Sequence, residues 1–419
     1  MSVSVVKFGP YFSSGSISFS QLRTNFTDDQ PGFGQQISAS QLRRNTDVTR
    51  ENPIVPDSTE NENISTGSNL SLSQFRNSIK RYVATQTGTD DNSSFPGEPG
   101  FRMGRLDSAG KGIDWSGGGL SGRDGQNGGT TGNLTKNVQK GILITGTCGS
   151  VRPGLAAAQM APTVRVHNVR IDISGSVLGY GGLGGGRGGP DPSGEDGGTA
   201  LNFGNIGYNN RVRVGSGARI YGGGGGGERG KQGANGANGK CLDTRTIDGG
   251  CGCPSCPGGW ITTRGCYNGW HCGRRSVTRR WSQWWESQGD SKFVDCRLEY
   301  TINGGIGGQG GRGGNGRGYN NQSGSLDGEA GSNGTAAQTC TSGGSPSPAA
   351  QNGLPGERGG NGGDWASNGQ SVPDSGTGYV SRGGNGGAAG RAITYQSDIG
   401  TIYERYGDIN PNTVKGAYT

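Results

Sequence analysis

The residues best suited to covalent chemistry and binding are the cysteines and tryptophans that cluster between positions 241 and 300. This stretch holds seven of the nine cysteines and five of the seven tryptophans. Thiols form disulfides or bind zinc, and indole rings stack on cations and on other rings. The stretch therefore predicts a compact, cross-linked loop. Its cysteines are Cys241, Cys251, Cys253, Cys256, Cys266, Cys272 and Cys296.

Three interpretations of these cysteines are open. Disulfides are favoured, because a tight loop with little apolar core needs covalent cross-links. The number is odd, so one thiol is free or pairs with Cys148 or Cys340, and the connectivity does not follow from the spacing. Zinc binding is the second interpretation, although the spacing is not a clean pair of C-x-x-C motifs. Reduced, buried cysteines are the third. We expect disulfides and no metal.

The tryptophans either fill the small core of this loop or contact a receptor. Aromatic rings give a large contact area at a low cost in conformational entropy, which suits a binding surface. Arg279 and Arg280 adjoin Trp281, where cation–π stacking is possible. We therefore predict a recognition loop, supplemented by aromatic residues between later glycine runs. The receptor-binding candidates are Trp260, Tyr267, Trp270, Trp281, Trp284, Trp285, Tyr319 and Trp365.

No constellation of catalytic residues is recognisable in the sequence. The two histidines are His167, in a strand-like run, and His271, in the cysteine-rich loop. The glycine runs lack the strand, turn and Lys-Ser/Thr context of a phosphate loop. Asp191, Glu195 and Asp196 are interpreted as a solvated turn rather than as catalytic carboxylates. We expect no enzymatic activity and no cofactor.

A short unit recurs three times near the N-terminus, at residues 17–23, 37–43 and 70–76. In each copy a serine is followed three residues later by glutamine, which is the pattern of a capping box. Apolar residues precede the serine and follow it by four positions, as in a hydrophobic staple. The units therefore predict three short capped helices. The apolar pairs are Ile17 and Leu22, Ile37 and Leu42, and Leu70 and Phe75.

These helices have two possible roles. Helices of two or three turns are unstable alone, so they need a surface to pack against. They either form a small domain that packs on itself or fold against another protein. The low apolar content favours the second role, and three equivalent units would match three equivalent sites on a trimeric partner. We predict that the six apolar residues of the three pairs are docking residues.

Glycine makes up 91 of the 419 residues and recurs at every third position in separate runs, the longest from Gly224 to Gly239. A period of three fits polyproline II rather than an α-helix or a strand. The regular register argues against disorder, and the interrupted runs with little proline argue against collagen. The predicted fold class is mostly irregular and β. It has short N-terminal helices, then a glycine-rich polyproline-II (polyglycine-II) helix bundle with short β-strands and a Cys/Trp-rich loop insertion.

Short apolar segments between the glycine runs alternate like half-buried strands, which predicts a small β region at the base of the bundle. These segments are residues 141–145, 164–173, 211–214 with 220–221, and 392–395. The predicted domains are an N-terminal attachment region at 1–85, a linker at 86–118, two bundle parts at 119–240 and 301–419, and the Cys/Trp-rich insertion at 241–300.

The formal net charge of +7 suits an acidic surface or a nucleic acid without requiring either. Arg-Gly-Gly sequences, for example at Arg187 and Arg312, would allow RNA binding. The glycine register needs no such role, so we expect no nucleic-acid partner. No apolar run reaches the ~20 residues that span a membrane, and the N-terminus lacks the pattern of a signal peptide. We expect no membrane insertion, and export only as part of a particle.

Two features resemble phage proteins. The unit Ser14–Arg23 and its echoes resemble short repeats in tailed-phage virion proteins, notably of T-even-like phages that infect cyanobacteria. The glycine runs resemble tail-fibre tip adhesins of T-even-like phages, and residues 219–227 are similar to the strand-then-glycine entry of such domains. The resemblance covers most of the chain, and the cysteine-rich insertion departs from it. It implies an attachment domain on a trimeric fibre, followed by stacked polyglycine-II helices whose distal loops bind the host receptor.

These expectations combine into one hypothesis. The chain is predicted to be a phage virion structural protein of the tail, at a fibre tip or in the baseplate, that acts as a receptor-binding adhesin. Its N-terminal repeats dock to other tail or baseplate proteins, in particular a trimeric fibre or hub. Its loops, led by residues 241–300, contact a host cell-surface glycan or protein. The alternative is a baseplate or neck cement protein without receptor binding. The expected location is the virion tail, after assembly in the host cytoplasm.

Overall fold

The structure of the chain is a computed structural model. It describes residues 3–8, 11–27, 38–45, 55–56, 61–78, 81–93, 99–103, 113, 140–160, 169–186, 191–205, 210–249, 253–268, 276–279, 282–285, 292–341, 344–373, 379–380, 384–396 and 404–418.

The described elements are one α-helix and a series of mostly short strands. In chain order they are β1 (Val3–Phe8), α1 (Phe19–Thr27), β2 (Arg44–Asn45), β3 (Val55–Pro56), β4 (Arg81–Gln86), β5 (Thr89–Asp90), β6 (Phe101–Arg102), β7 (Lys140–Ile144), β8 (Thr147–Gly149), β9 (Ala158–Gln159), β10 (Val169–Ile173), β11 (Ser176–Leu178), β12 (Leu201–Asn205), β13 (Arg211–Val214), β14 (Arg219–Tyr221), β15 (Gln232–Gly233), β16 (Gly239–Asp248), β17 (Ile261–Asn268), β18 (Ser276–Arg279), β19 (Ser282–Trp285), β20 (Lys292–Ile302), β21 (Ser345–Pro346), β22 (Tyr379–Val380), β23 (Ile393–Gln396), β24 (Glu404–Gly407) and β25 (Val414–Lys415).

The predicted fold class is wrong. The protein is mostly β, built from parallel and antiparallel sheets, and its described residues contain one α-helix rather than three. In the part of the chain that the structure describes, no polyproline-II or polyglycine-II helix bundle defines the fold. The prediction gave the glycine period too much weight, whereas the short apolar segments between the runs organise the architecture.

Those apolar segments form a parallel β-solenoid, here defined as β4–β14 with β23–β25. Three parallel sheets run side by side, with the strand orders β4-β7-β10-β13-β24, β5-β8-β11-β14-β25 and β6-β9-β12-β23. Each of the first four turns of the chain adds one strand to each sheet and the last turn adds a strand to the first two, so successive turns stack as rungs. The N-terminal β1 pairs antiparallel with β4 and covers the first edge of the first sheet.

The solenoid core consists of apolar ladders that point inward from the three sheets. In the first sheet Ala84, Ile142, Ile171 and Val212 occupy one register across four rungs, and all are buried. The strand β10 shows strict alternation of buried and half-buried residues, as its sequence predicted. Burial of such ladders supplies the hydrophobic stabilisation that the glycine runs do not provide.

Two glycine-rich insertions leave the solenoid, residues 179–198 between β11 and β12 and residues 222–391 between β14 and β23. Outside the strands β15–β22, the described segments of these insertions are extended and bond to one another. In the segment 224–236, N–H groups at every third residue donate to carbonyls of 305–317 at 2.7–2.9 Å. In turn, N–H groups of 305–317 donate to 351–363 with the same interval. We call these extended segments the glycine region.

The segment 222–239, the central run, lies inside the glycine region. It exchanges backbone hydrogen bonds with six other segments, 179–185, 192–198, 305–317, 351–363, 367–370 and 387–390. Such close approach requires glycine. A Cβ on Gly226 would overlap the carbonyl oxygen of Leu183, and a Cβ on Gly227 would overlap that of Gly360. The absence of side chains therefore lets six backbones surround one.

Side-chain oxygens complete this network where no neighbouring backbone carbonyl is in place. Asn238 accepts from the Gly304 N–H at 3.0 Å, and Asn235 accepts from the Gly307 N–H at 2.9 Å. A buried N–H without a partner is costly, so these amides stabilise the network. The glycine region thus meets its hydrogen-bonding requirement with little apolar core.

The N-terminal repeats fold as one α-helix and two single turns. The helix α1 follows Ser18, and the reciprocal bonds of a capping box join Ser18 and Gln21. The other copies are 3-10 turns, Ala39–Leu42 and Leu72–Phe75. The prediction of three short helices is therefore wrong. After one turn the chain becomes extended at β2 and at Arg76, so these copies do not propagate into helices.

Candidate functional site

The candidate site is a four-stranded sheet at the end of the central run that lies away from the solenoid. The Gly222 N–H bonds the Lys415 carbonyl of the last rung, and the other end of the run continues directly into β16. The strands β16 and β20 pair antiparallel from Gly239–Ile302 to Asp248–Phe293. The strands β17 and β21 flank this pair. We call β16, β17, β20 and β21 the distal sheet.

Disulfides fasten loops to one face of the distal sheet. Cys256, in the loop before β17, bonds Cys296 of β20 with a Cα–Cα distance of 5.7 Å. Cys241 of β16 bonds Cys340 with a Cα–Cα distance of 5.6 Å. Cys241 and Cys296 are buried, as is Val294 on the same face. Three short buried side chains form only a small apolar core, so the disulfides contribute much of what holds these loops to the sheet.

An aromatic–cation pair lies beside these disulfides. The Arg245 guanidinium carbon lies 4.3 Å from the centre of the Trp260 ring, within the range of a cation–π contact. Arg245 is exposed and Trp260 is half-buried. The Tyr300 hydroxyl lies 3.0 Å from the Thr341 hydroxyl and anchors the loop that carries Cys340. The pair therefore presents an aromatic ring and a cation at the edge of a cross-linked sheet.

The opposite face of the distal sheet carries exposed polar side chains. Glu299 accepts from Lys240 Nζ at 2.8 Å and from Arg297 at 3.2 Å. Its pKa is held below the ordinary value by the hydrogen bond to Lys240 and the charge of that lysine, with Arg297 adding to the effect. Ile261 is 64% exposed next to them. Ion pairs this exposed contribute little to stability, so the face is polar and accessible.

Two of the aromatic candidates lie at the solenoid end instead. Tyr319 covers Gly149, where any Cβ would overlap the ring, and its hydroxyl donates to Asp91 at 3.1 Å. Burial, together with the charge of Asp91, raises the pKa of Tyr319 to about 12. The Trp365 ring centre lies 5.4 Å from that of Tyr221 on β14. Both rings therefore join the glycine region to the solenoid.

The remaining aromatic candidates are placed only in part. Tyr267 lies on β17, and Trp284 and Trp285 lie on β19, which pairs with β18 in a separate hairpin. The side chains of these three residues are not described. Trp270 and Trp281 lie outside the described residues. Among the candidates, only Trp260 has a described side chain at the distal sheet.

The structure describes some of the cysteine candidates, as it does for the aromatic ones. Cys253 is disulfide-bonded, as are Cys241, Cys256 and Cys296. Cys266 lies on β17, whereas Cys251 and Cys272 lie outside the described residues. The candidate set left out Cys340, which lies 99 residues after its partner Cys241. The odd count of cysteines had left open a free thiol or a pair with Cys148 or Cys340. Cys148 is free and buried in the solenoid.

The docking candidates pack on one another. Leu22, Leu42 and Phe75 are fully buried in one cluster with Phe26, Val55 and Ile64, and Ile17 and Leu70 pack against it. The Phe26 and Phe75 rings meet edge to face at 6.0 Å between centres. Ile37 lies outside the described residues. This packing corresponds to the first of the two roles weighed for the repeats, and docking through these residues stays a prediction.

The structure also shows a cleft that the sequence did not predict. It has a volume of about 820 Å³ and lies between a solenoid turn at 153–154 and residues 184–199. Asp191, Glu195 and Asp196 line it. Each carboxylate accepts a hydrogen bond of 2.7–2.9 Å from a backbone N–H or a tyrosine hydroxyl. Asp191 therefore fixes a turn of the backbone, whereas Glu195 and Asp196 join separate segments of the chain.

Among the described residues, no group of three or more His, Cys, Asp or Glu side chains is arranged to hold a metal ion. The same residues include no helix with the length and apolar character needed to cross a membrane.

Comparisons with known proteins give little further evidence. No protein-family model matches the sequence, and no curated protein matches it. The chain is similar to a solved structure described as the crystal structure of the gp37-gp38 adhesin tip complex of the bacteriophage S16 long tail fiber. The identity is 17%, the TM-score is 0.28, and the match covers 84% of this chain and 88% of the other. A similarity this low supports no argument about the fold or the function.

Proposed function

We propose that the protein is a structural protein of a phage tail fibre that acts as a host receptor-binding adhesin and catalyses no reaction. The observation that carries the proposal is the position of the distal sheet. It stands at the far end of the central run, whereas the N-terminal repeats join the solenoid through the β1–β4 pair. An attachment part and a recognition part are thus held apart by a hydrogen-bonded spacer.

The construction of the spacer supports a mechanical role. A segment bonded on all sides through its backbone has few internal degrees of freedom, so it holds the distal sheet in a defined position. The phage-like N-terminal repeats and glycine runs of the sequence supply the tail-fibre assignment. We place the protein in the virion tail, after assembly in the host cytoplasm.

We expect Trp260 and Arg245 to contribute to receptor contact. An aromatic ring stacked by an arginine offers both an apolar surface and hydrogen-bond donors, and tryptophan and arginine dominate binding hot spots. Loss of a hot-spot side chain costs about 2 kcal/mol or more. In the W260A variant, cell affinity should therefore fall at least about tenfold, since 1.4 kcal/mol corresponds to tenfold.

The measurement is the binding of fluorescently labelled full-length protein to a panel of cyanobacterial strains. The matched control is F19A, which removes an exposed aromatic ring from the N-terminal repeats and should bind like the parent protein. If the parent protein binds no strain, the adhesin proposal is contradicted and the role of baseplate or neck cement is favoured. If W260A binds as tightly as the parent, the distal sheet is not the contact surface.

The N-terminal repeats offer a second surface with a repeated feature. In each copy the residue after the capping serine is exposed. It is Phe19 in the first copy (41% exposed), Leu72 in the third (39%) and the small Ala39 in the second. The inward residues Leu22 and Phe75 hold the cluster together. We propose that the outward residues dock to a trimeric fibre or hub, with three like contacts from one chain.

The docking prediction concerns incorporation into particles. In the double variant F19D/L72D, two carboxylates replace apolar contacts without touching the buried cluster. The protein should therefore stay folded but fail to be incorporated into the particle. The measurement is an immunoblot of purified phage assembled when the variant is supplied in trans to a phage lacking its own copy. W260A serves as the control and should be incorporated normally. Normal incorporation of F19D/L72D would contradict docking through this surface.

A further inference from the structure

The cross-links of the protein are concentrated at one place. Within the described residues, both defined disulfides lie in the distal sheet or in the loops against it, and Cys253 of the same loop is also disulfide-bonded. The solenoid contains a cysteine of a different kind. Cys148 is free and fully buried, and burial raises the pKa of its thiol well above the ordinary value, with Asp90 adding to the shift. A buried thiol of this kind is inert to oxidation.

The loop before β17 has few other attachments to the distal sheet. Residues 253–260 are exposed or half-buried. Their described contacts with the sheet are the Cys256–Cys296 bond, the Arg245–Trp260 stack and a weak hydrogen bond from the Thr262 hydroxyl to the Cys256 sulfur. Cys253 adds a second disulfide to this loop, and without its disulfides the loop lacks the apolar area that holds a loop against a sheet.

The solenoid and the glycine region are held by different forces. The solenoid buries a large apolar cluster, and the glycine region is bonded through its backbone. Neither depends on a described disulfide, apart from the part of the glycine region that ends at Cys340. Reduction should therefore open the distal sheet and leave the rest of the fold in place.

We propose that the distal sheet is a redox-gated binding surface. In the reduced protein the loop 253–260 is detached and Trp260 is displaced from Arg245. Oxidation of Cys256 with Cys296, and of Cys241 with Cys340, closes the loops and completes the surface. The inference rests on the proposed receptor-binding function, because it assigns a regulation to that same site. A reducing cytosol would keep the loops detached from the distal sheet, and oxidation after release of the particle would attach them.

The oxidant is a small-molecule disulfide such as oxidised glutathione. One cysteine thiolate attacks a sulfur of this disulfide, which forms a mixed disulfide and releases one glutathione thiolate. The second cysteine thiolate then attacks the protein sulfur of the mixed disulfide and releases the other. Two protein thiols lose two electrons and two protons overall, and one glutathione disulfide becomes two thiols.

The test compares three forms of the full-length protein. They are the oxidised protein, the protein reduced and alkylated with iodoacetamide, and the double variant C256S/C296S. The variant C148S is the matched control, because it removes a thiol outside the distal sheet. The first readout is binding to cyanobacterial cells. The second is the rate of trypsin cleavage after Arg245, Arg264 and Arg297, with cleavage after Arg213 in the solenoid as the internal reference.

We expect the reduced form and C256S/C296S to lose at least tenfold in cell binding. We also expect them to be cleaved at least tenfold faster in the distal sheet, with cleavage after Arg213 unchanged. Oxidised glutathione should restore binding to reduced protein that has not been alkylated. Equal binding of the oxidised and reduced forms to a strain that the oxidised form binds, or equal cleavage of the two forms in the distal sheet, would overturn redox gating. If no form binds cells but distal cleavage still depends on reduction, the gate is supported and the receptor-binding function is contradicted.

Discussion

The G226A variant is expected to disrupt the glycine region. Gly226 lies in the central run, where its N–H donates to the Glu195 carbonyl and its carbonyl accepts from Gly387, both at 2.8 Å. The added methyl group would overlap the carbonyl oxygen of Leu183. A backbone oxygen cannot rotate aside as a side chain can, so the neighbouring segments must separate and lose their hydrogen bonds. We expect the free energy of unfolding to fall by about 3 kcal/mol or more, the upper part of the range for overpacking.

Hydrogen exchange is the appropriate measurement, because a chain with separately stabilised parts need not unfold in one step. Amides of 224–236 and 305–317 should exchange faster in G226A, while those of β10 and β13 should not change. The control is G265A, on β17, where a Cβ would meet nothing within 4 Å. Its effect should stay within about 0.5 kcal/mol. Unchanged exchange in G226A would contradict the close packing of the central run.

The F203A variant is expected to destabilise the solenoid. Phe203 lies on β12 and is fully buried in the core between the three sheets. Truncation of a buried phenylalanine removes its transfer free energy and leaves a cavity, which costs about 3–5 kcal/mol. The rungs share one core, so the loss should spread to the neighbouring strands β9 and β23.

Chemical denaturation with a tryptophan-independent probe, such as circular dichroism of the sheets, tests this expectation. The matched control is F19A, the same substitution at a ring that is 41% exposed, and its effect should be within about 0.5 kcal/mol. Hydrogen exchange locates the loss, because β9 and β23 should lose protection in F203A while the distal sheet keeps it. A stability of F203A equal to that of the parent would show that the three sheets do not share a core.

Local sequence patterns predicted several elements correctly. The alternation of apolar residues around Ile171 and in 211–214 predicted strands, because successive side chains of a half-buried strand point alternately to the core and to solvent. The Ser18–Gln21 pattern predicted the start of α1, because capping involves only residues three positions apart. These are properties of short segments and do not depend on distant partners.

Other predictions failed because the deciding partner lies far away in the chain. The capping pattern at Ser71 is present, with its N–H bonded to Gln74 at 2.9 Å, yet only a 3-10 turn follows. Phe75 is buried in a cluster with Leu22 and Phe26, and the chain leaves it in an extended conformation. A local start signal therefore does not fix the length of the helix. Packing against residues some fifty positions away does.

The cysteine and tryptophan cluster shows the same contrast between what local sequence determines and what contacts between distant residues determine. Sequence by itself determined that residues 241–300 are rich in cysteine and tryptophan, which are able to form cross-links and aromatic contacts, since composition is a local property. Only the tertiary structure decided that Cys241 pairs with Cys340 across 99 residues, and that Tyr319 and Trp365 belong to the solenoid end. It also decided that the apolar segments stack as parallel rungs. Parallel pairing joins strands separated by long connections, so it depends on the closure of the whole core, and no short segment carries that information.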